Sequence, residues 1–208
     1  MNNRRLRIVG IGGTLREGST SLGALRWALT AATEAGADTE LLDLRELNFP
    51  MYEPGRGLQE SGPEVEQFVE ALRGAAAVLL STAAYHGTLA GVTKNALDFA
   101  QFMARDEEPY LQDNVVGLIA TAVGDLVGTN AAGAMVHAVH PLRGTVAPLT
   151  VAVPEVWKRA NGDGDITDED DGSGWTTSIA SWSRWPPGCV RRSNRRRSPF
   201  APPRNELG

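Results

Sequence analysis

The sequence of 208 residues predicts an α/β fold, with a doubly wound five-stranded parallel sheet and helices on both faces. Two observations predict this fold. Short apolar runs alternate with segments of helical periodicity through residues 6–153, and loops rich in Gly, Ala, Ser and Thr follow three of the apolar runs. Because ligands of such sheets bind outside the carboxyl ends of the strands, these loops also predict where a ligand would lie.

Length and composition are typical of one globular domain. Hydrophobic residues make up 42% of the chain, which is enough for a sizeable core at this length. No apolar run approaches the roughly 18 residues of a membrane span, and the first residues lack the apolar segment of a signal peptide. The single cysteine, Cys189, excludes an internal disulfide and a cysteine-based metal cluster. We expect a cytoplasmic protein that does not enter a membrane.

The net charge of −5 conceals two regions of opposite sign. Residues 172–208 carry seven arginines and one glutamate, a charge of +6, which leaves −11 on residues 1–171. The acidic body disfavours nucleic acid as a partner of the main domain. The basic tail, in contrast, has the charge that nucleic acid or an acidic membrane attracts.

The first half of the chain contains two predicted strands and two predicted helices. An apolar run at residues 6–9 predicts the first strand, and the spacing of apolar residues predicts a helix over 21–35. A second strand is predicted at 39–44. Residues 45–62 hold two prolines and three glycines without a period, which predicts a long surface loop, and Pro63 begins the second helix.

The second half continues the same alternation as far as a fifth strand. Residues 76–81 form a continuous apolar run, as expected of a central parallel strand that is covered on both sides. The elements predicted after it are a loop at 82–91, a helix at 92–103, a strand at 115–121, a loop at 122–129, a helix at 131–142 and a strand at 146–153.

The loop from Gly10 to Leu22 combines glycines with small hydroxyl side chains and one arginine, Arg16, directly before a predicted helix. Unpaired N–H groups and the positive end of the dipole make a helix start suitable for an anion. Hydroxyl and guanidinium groups add donors suited to phosphate. The loop therefore predicts a phosphate site, with a structural turn that binds no phosphate as the alternative.

Three segments carry a resemblance to a known family. Residues 13–21 have the sequence GTLREGSTS, residues 85–99 have YHGTLAGVTKNALDF, and residues 116–122 have VGLIATA. The first resembles the G-[ST]-x-R-x-x-S-x-[NTS] loop of the NADPH-dependent FMN reductase family, whose fold is flavodoxin-like. The second resembles that family's Y-[HN]-G-x-x-x-G-x-x-K-N-A-[IL]-D-[WF] segment, and the third resembles the strand before its third flavin-facing loop. The resemblance covers about residues 4–168.

The resemblance implies how FMN would bind. The loop before the first helix would hold the phosphate, residues 83–88 would lie against the isoalloxazine ring, and residues 121–124 would approach the ring from the other side. Many relatives have Pro-Glu where this chain has Ala83-Ala84, and Gly-Gly where it has Val123-Gly124. The candidate cofactor-binding residues are Thr14, Arg16, Ser19, Ser21, Leu22, Ala83, Ala84, Tyr85, His86, Gly87, Thr121, Ala122, Val123 and Gly124.

The implied function is that of an NAD(P)H-dependent FMN reductase, which transfers hydride from the nicotinamide of NADPH or NADH to N5 of FMN. Because the cofactors carry this chemistry, no catalytic side chain is predicted. Two alternatives stay open: an FMN-dependent reductase of quinones, azo dyes or metal oxyanions, and an FMN-binding protein without productive turnover. The expected partners are a nicotinamide cofactor, a small-molecule electron acceptor, and further copies of this chain in a homodimer or homotetramer.

Three other features have structural interpretations. Lys94 and Asp98 are four residues apart on one predicted helix, which favours an ion pair over a catalytic pair. His137 and His140 have no third ligand nearby in the sequence, so we expect them to pack or to face the surface rather than to bind a metal. The acidic segment 161–171 lacks the ligand spacing of a calcium-binding loop and is predicted to be a solvated loop.

The composition changes abruptly after Asp171. A doubly wound domain needs a last helix after its fifth strand, and residues 172–208 lack the pattern of one. Trp175, Trp182 and Trp185 are spaced as on one helix face, and a shifted reading frame with plausible codons gives an amphipathic helix there. We therefore predict a flavodoxin-like domain at 1–171 and interpret 172–208 as a frameshifted or disordered end. The alternative is a genuine basic tail that binds nucleic acid or a protein partner.

Overall fold

The computed structural model describes residues 5–167. Its strands are β1 (Arg7–Gly12), β2 (Asp38–Asp43), β3 (Ala77–Tyr85), β4 (Thr88–Leu89), β5 (Val115–Thr121) and β6 (Thr145–Val153). Five of them are parallel neighbours in the order β2-β1-β3-β5-β6, while the two-residue β4 pairs antiparallel with the end of β3. The predicted doubly wound α/β fold is confirmed. The small antiparallel additions, β4 and a bridge between Ala160 and Ile166, are differences in detail.

The helices alternate with these strands. They are α1 (Thr20–Glu34), α2 (Leu44–Leu47), α3 (Leu58–Ser61), α4 (Pro63–Gly74), α5 (Gly91–Asp98) and α6 (Asp125–Val139), with 3₁₀ turns at Phe99–Met103 and Val156–Lys158. Within residues 5–167, none of these helices has the length and apolarity that crossing a bilayer would require.

The parallel strands bury both of their faces, because successive side chains of a strand point to opposite sides of the sheet. On β1, Val9 and Ile11 belong to the cluster that α4, α5 and α6 cover, whereas Ile8 belongs to the cluster that α1 covers. On β3, Val78 and Leu79 divide in the same way. This two-sided burial explains why the strands have nearly continuous apolar sequences.

Several element boundaries differ from the predictions. β1 runs to Gly12 rather than to residue 9, and two larger differences, at β3 and α6, also shorten a predicted loop. β3 continues past Ser81 to Tyr85, because its pairing with β5 extends to the partners Ala83 and Thr121. α6 begins at Asp125, six residues before the predicted start. Within α6, a Cβ atom at Gly128 would lie 3.2 Å from the Cβ of Ala122. The missing side chain therefore lets the helix pack closely on the sheet.

Two four-residue helices replace much of the predicted loop at 45–62: α2, which begins at Leu44 where the second strand was predicted to end, and α3. Asp43 caps the first of them, since its Oδ1 accepts a hydrogen bond from the N–H of Arg45 at 2.9 Å. The side chain of Asn95 fixes the rest of the segment. Its Nδ2 donates to the carbonyl of Pro50, and its Oδ1 accepts from the N–H of Tyr52, both at 2.8 Å. Such short helices have no long apolar period from which the sequence could predict them.

The predicted domain boundary at residue 171 and the proposed frameshifted end at 172–208 lie outside the described residues.

Candidate functional site

The three loops that the sequence singled out meet at the carboxyl edge of the sheet. Neighbouring strands are parallel and in register there, with Ile11 paired to Leu80 and Ala83 paired to Thr121. A side-chain hydrogen bond also ties the first loop to β3, since Ser81 Oγ donates to the carbonyl of Ser21 at 2.7 Å. The predicted convergence of the loops is therefore seen in the structure.

The loop between β1 and α1 gathers hydroxyl groups, and we call residues 13–22 the phosphate loop. Thr14, Ser19 and Ser21 are all buried. Ser19 Oγ and Ser21 Oγ lie 3.0 Å apart and share a hydrogen bond, and Thr14 Oγ1 accepts from the N–H of Arg16 at 3.3 Å. These hydroxyls are thus fixed by one another and by the backbone, while each keeps further hydrogen-bonding capacity.

The start of α1 supplies backbone donors. The first intrahelical hydrogen bond runs from the N–H of Gly23 to the carbonyl of Ser19 at 3.0 Å, so the N–H groups of Thr20, Ser21 and Leu22 precede it and have no helical acceptor. Ser19 occupies the N-cap position without a capping side-chain hydrogen bond, and the first turn contains no acidic residue. No acidic side chain of the first turn therefore neutralises the positive end of this 15-residue helix, which is suited to an external anion.

Arg16 provides the positive charge of the phosphate loop. Its side chain is exposed, and its guanidinium forms no ion pair within the described part of the chain. The adjacent acid, Glu17, is instead paired with Arg45. Free amides, two hydroxyls and an uncommitted guanidinium form a donor set that fits a phosphate dianion.

The end of β3 turns sharply into β4. We call residues 82–90 the ring hairpin, after the flavin ring that the resemblance would place against residues 83–88. His86 (φ 52°) and Gly87 (φ 77°) both adopt positive φ between the paired residues Tyr85 and Thr88, as expected of a two-residue type I′ turn. Neither turn N–H donates to an acceptor among residues 5–167. Ala84 is buried, while Tyr85 and His86 are exposed at the tip.

A network of buried threonines supports the ring hairpin. Thr82 Oγ1 accepts from the N–H of Ala90 at 2.9 Å and lies 3.0 Å from Thr93 Oγ1 on α5. Thr121 Oγ1, at the end of β5, donates to the carbonyl of Thr82 at 3.4 Å. All three threonines are buried. The hairpin is thus connected to both elements that flank it.

The third loop is short, since only Ala122, Val123 and Gly124 separate β5 from α6. The N–H of Ala122 donates to the carbonyl of Val153 at 3.0 Å, and Gly124 is the N-cap residue of α6. Val123 is 71% exposed. Its side chain is therefore not packed into the described part of the site, although it replaces a glycine of many relatives.

Several residues around the site were not singled out from the sequence. Ser81 and Thr82 connect the loops, but Ser81 ends a predicted apolar strand and Thr82 begins a predicted loop, and neither position by itself indicates this role. The segment at 161–165 was predicted to be solvated, yet Gly164 is buried and Asp165 pairs with Arg26 on α1. Asn161, Gly162 and Asp163 are exposed, as expected of a solvated loop, so the prediction missed only the long-range contact at Gly164 and Asp165.

The structure also locates the charged pair and the two histidines that the sequence analysis discussed. Lys94 Nζ donates to Asp98 Oδ1, so the predicted ion pair is confirmed. His137 and His140 are exposed at the end of α6. Among residues 5–167 no group of three His, Cys, Asp or Glu side chains could hold a metal ion.

Comparisons with known proteins agree with this architecture. A family model described as NADPH-dependent FMN reductase matches residues 6–158. An NAD(P)H-dependent FMN reductase of Pseudomonas aeruginosa is 37% identical over 95 residues, which cover 46% of this chain and 50% of that protein. The chain thus matches about half the length of this relative.

Solved structures show the same fold. The flavoenzyme NAD(P)H:(acceptor) oxidoreductase FerB from Paracoccus denitrificans superposes with a TM-score of 0.66 at 17% identity, covering 86% of this chain and 97% of FerB. The apo form of the NADH:FMN oxidoreductase EmoB gives a TM-score of 0.60 at 16% identity, covering 88% of this chain and 93% of EmoB.

Proposed function

The chain belongs to the NADPH-dependent FMN reductase family, and on that premise we propose that it binds FMN and reduces it with NADPH or NADH. The phosphate loop binds the 5′-phosphate, and the ring hairpin and residues 121–124 bind the isoalloxazine ring. The proposed electron acceptor is a small molecule.

One observation carries this proposal: the uncommitted donors at the start of α1 lie at the same sheet edge as the ring hairpin. Arg16 and the hydroxyls of Ser19 and Ser21 supply charge and hydrogen bonds to the phosphate. A phosphate site alone would suit many ligands. The ring hairpin and residues 121–124 follow neighbouring strands at the same edge, where a flat ring would lie beside the phosphate.

The protein's part in the reaction is binding and orientation. FMN held there by the phosphate loop and the ring hairpin would supply the redox chemistry, with N5 as the hydride acceptor. The N–H groups of His86 and Gly87 have no acceptor among the described residues, so they are suited to donate to the polar edge of the ring. Donors fixed in this way stabilise negative charge on the ring without reorganisation.

An absorption spectrum before and after addition of NADPH tests the proposal. We expect the purified full chain, after incubation with FMN and removal of free flavin, to be yellow and to lose its visible absorbance with NADPH or NADH. A yellow protein that neither nucleotide bleaches would instead be an FMN-binding protein without turnover. A colourless protein that does not take up FMN would contradict the proposal entirely.

Self-association is part of the proposal. Two large apolar side chains near the start of α6, Val123 and Leu126, are 71% and 73% exposed, and such exposed neighbours are typical of an interface. We expect a homodimer or homotetramer in the cytoplasm, with light scattering of the purified chain as the test. A monomer at micromolar concentration would contradict it.

A further inference from the structure

We propose that the turn at residues 161–165, the backing turn, fixes the geometry of the phosphate loop, and that Gly164 is a positioning residue for the flavin phosphate. The inference rests on the proposed function, because it assumes that the phosphate loop binds FMN. It goes beyond that function by assigning a role to a segment about 140 residues away in sequence, a separation over which only the fold brings residues together.

Four glycines lie in contact where the backing turn meets the phosphate loop and α1. A Cβ atom at Gly164 would lie 2.5 Å from the carbonyl carbon of Gly18, and one at Gly18 would lie 2.8 Å from the carbonyl oxygen of Gly162. A Cβ atom at Gly23 of α1 would lie 1.9 Å from the carbonyl oxygen of Gly164. The two backbones therefore touch directly, and a side chain at these contacts must displace one of them.

The backing turn is itself rigid. Asn161 Oδ1 accepts hydrogen bonds from the N–H groups of Asp163 at 3.0 Å and Asp165 at 2.9 Å. The backbone closes the same turn, since the N–H of Gly164 donates to the carbonyl of Asn161 at 3.0 Å. A turn closed in this way presents a fixed surface to its neighbour.

An ion pair anchors the backing turn to the body of α1. Arg26 Nη1 lies 3.2 Å from Asp165 Oδ1, one residue beyond the glycine contact. Both side chains are about half exposed, so the pair contributes less than the backbone contact does. It nevertheless attaches the backing turn at a second point to α1, the helix whose first turn forms the proposed phosphate site.

These contacts are close to the groups that would bind phosphate. Gly18 precedes Ser19, and Gly23 donates the first intrahelical hydrogen bond to the carbonyl of Ser19. Moving either glycine therefore moves the Ser19 hydroxyl and the free N–H groups of the first turn. Because binding depends on the alignment of such donors, a small displacement weakens the phosphate contacts and leaves the ring hairpin in place.

A comparison of FMN with riboflavin, which lacks the phosphate, distinguishes a positioning role at the phosphate loop from a general loss of stability. We expect Gly164→Ala and Gly23→Ala to weaken FMN binding about tenfold and to leave riboflavin binding unchanged, measured by quenching of flavin fluorescence. Each variant has a matched control. Gly36→Ala introduces an alanine at a positive φ of 94° and Gly133→Ala introduces one inside α6, and a Cβ atom at either glycine meets nothing within 4 Å.

A third variant avoids any steric clash. Asn161→Ala removes the acceptor that closes the turn but adds no atoms, so it decides the question if Gly164→Ala does not fold. We expect it to weaken FMN binding several-fold, with the Asn161→Asp variant, which keeps an acceptor oxygen, restoring most of the affinity.

The outcomes separate this inference from the proposed function. If the wild type prefers FMN to riboflavin but folded Gly164→Ala, Gly23→Ala and Asn161→Ala keep the same preference, the backing role is wrong and the phosphate site stands. The backing role is equally wrong if both flavins lose affinity by the same factor in these variants. If the wild type shows no preference for FMN, the phosphate site itself is wrong, and the inference falls with it.

Discussion

The candidate site has two ends, the phosphate loop and the ring hairpin, and the rest of the protein supports them in different ways. The phosphate loop rests on backbone contacts, where Gly18 and Gly23 meet the backing turn without intervening side chains. The ring hairpin rests on buried hydroxyl groups, centred on Thr82. Adjacent residues of β3 serve the two ends, since Ser81 bonds to the phosphate loop and Thr82 to the hairpin.

This difference indicates which changes each end tolerates. Added volume displaces backbones that touch directly, so the phosphate end is sensitive to side-chain size. At the ring end, the loss of a hydroxyl leaves a buried donor without an acceptor, so that end is sensitive to polarity. Variants that change size or polarity at one end therefore test whether the two supports are independent.

The largest effect is expected from Arg16→Ala. Loss of a charge-assisted contact costs roughly 1.5–3 kcal/mol, which corresponds to FMN binding about 10- to 150-fold weaker. Riboflavin affinity is expected to stay unchanged. Arg45→Ala is the matched control, because Arg45 lies nearby but is already paired with Glu17. Titration by fluorescence quenching measures the affinities of both variants for FMN and riboflavin. Equal FMN affinity in Arg16→Ala and wild type would refute the phosphate contact.

Thr82→Val tests the ring end. The substitution leaves the N–H of Ala90 without its acceptor in a buried position, which we expect to lower the free energy of unfolding by about 1–3 kcal/mol. Chemical denaturation measures this change. Thr88→Val, at an exposed position of the same hairpin, is expected to have little effect. The preference for FMN over riboflavin stays as in the wild type, and a lost preference would show that the two ends are coupled.

Ser81→Ala tests the neighbouring residue on β3. It removes the hydrogen bond to the carbonyl of Ser21 but leaves no donor unpaired, so we expect a loss of about 1 kcal/mol. This loss is expected to appear as FMN binding weakened a few-fold, with riboflavin binding unchanged. An equal loss for both flavins would place the effect on the sheet rather than on the phosphate loop.

The smallest effect is expected far from both ends. Arg73 donates to Asp106 and Glu70, and these hydrogen bonds raise the pKa of its guanidinium above the ordinary value. Because the raised pKa belongs to a cation, its stabilisation is fully present below the ordinary arginine pKa and is lost only at strongly alkaline pH. Asp106→Asn is expected to cost at most about 1 kcal/mol, equally at pH 6 and pH 9, without changing flavin affinity. A pH-dependent loss of stability across that range would contradict this assignment.

The sequence predicted the sheet because its strands are buried on both faces and therefore continuously apolar. It predicted the phosphate loop because glycine, hydroxyl and arginine residues precede a helix, which is a local pattern. The ends of β3 and α6 were missed because Thr82–Tyr85 and Asp125–Asn130 contain small or polar residues that are also common in loops. Only pairing with β5 and close packing at Gly128 determine their structure.

The backing turn could not have been predicted from local sequence. The segment from Asn161 to Asp165 is acidic and rich in glycine, which by itself favours a solvated loop. Its contact with Gly18 and its ion pair with Arg26 depend on how the chain returns to α1 after β6. This return of the chain is a tertiary property that the periodicity of the sequence does not predict.

The most direct test of the phosphate site is a titration of the wild-type chain with FMN and with riboflavin, followed by flavin fluorescence. A site built from Arg16, the Ser19 and Ser21 hydroxyls and the free amides of α1 predicts that FMN binds at least about tenfold more tightly than riboflavin. Equal affinities for the two flavins, or no binding of FMN, would contradict it.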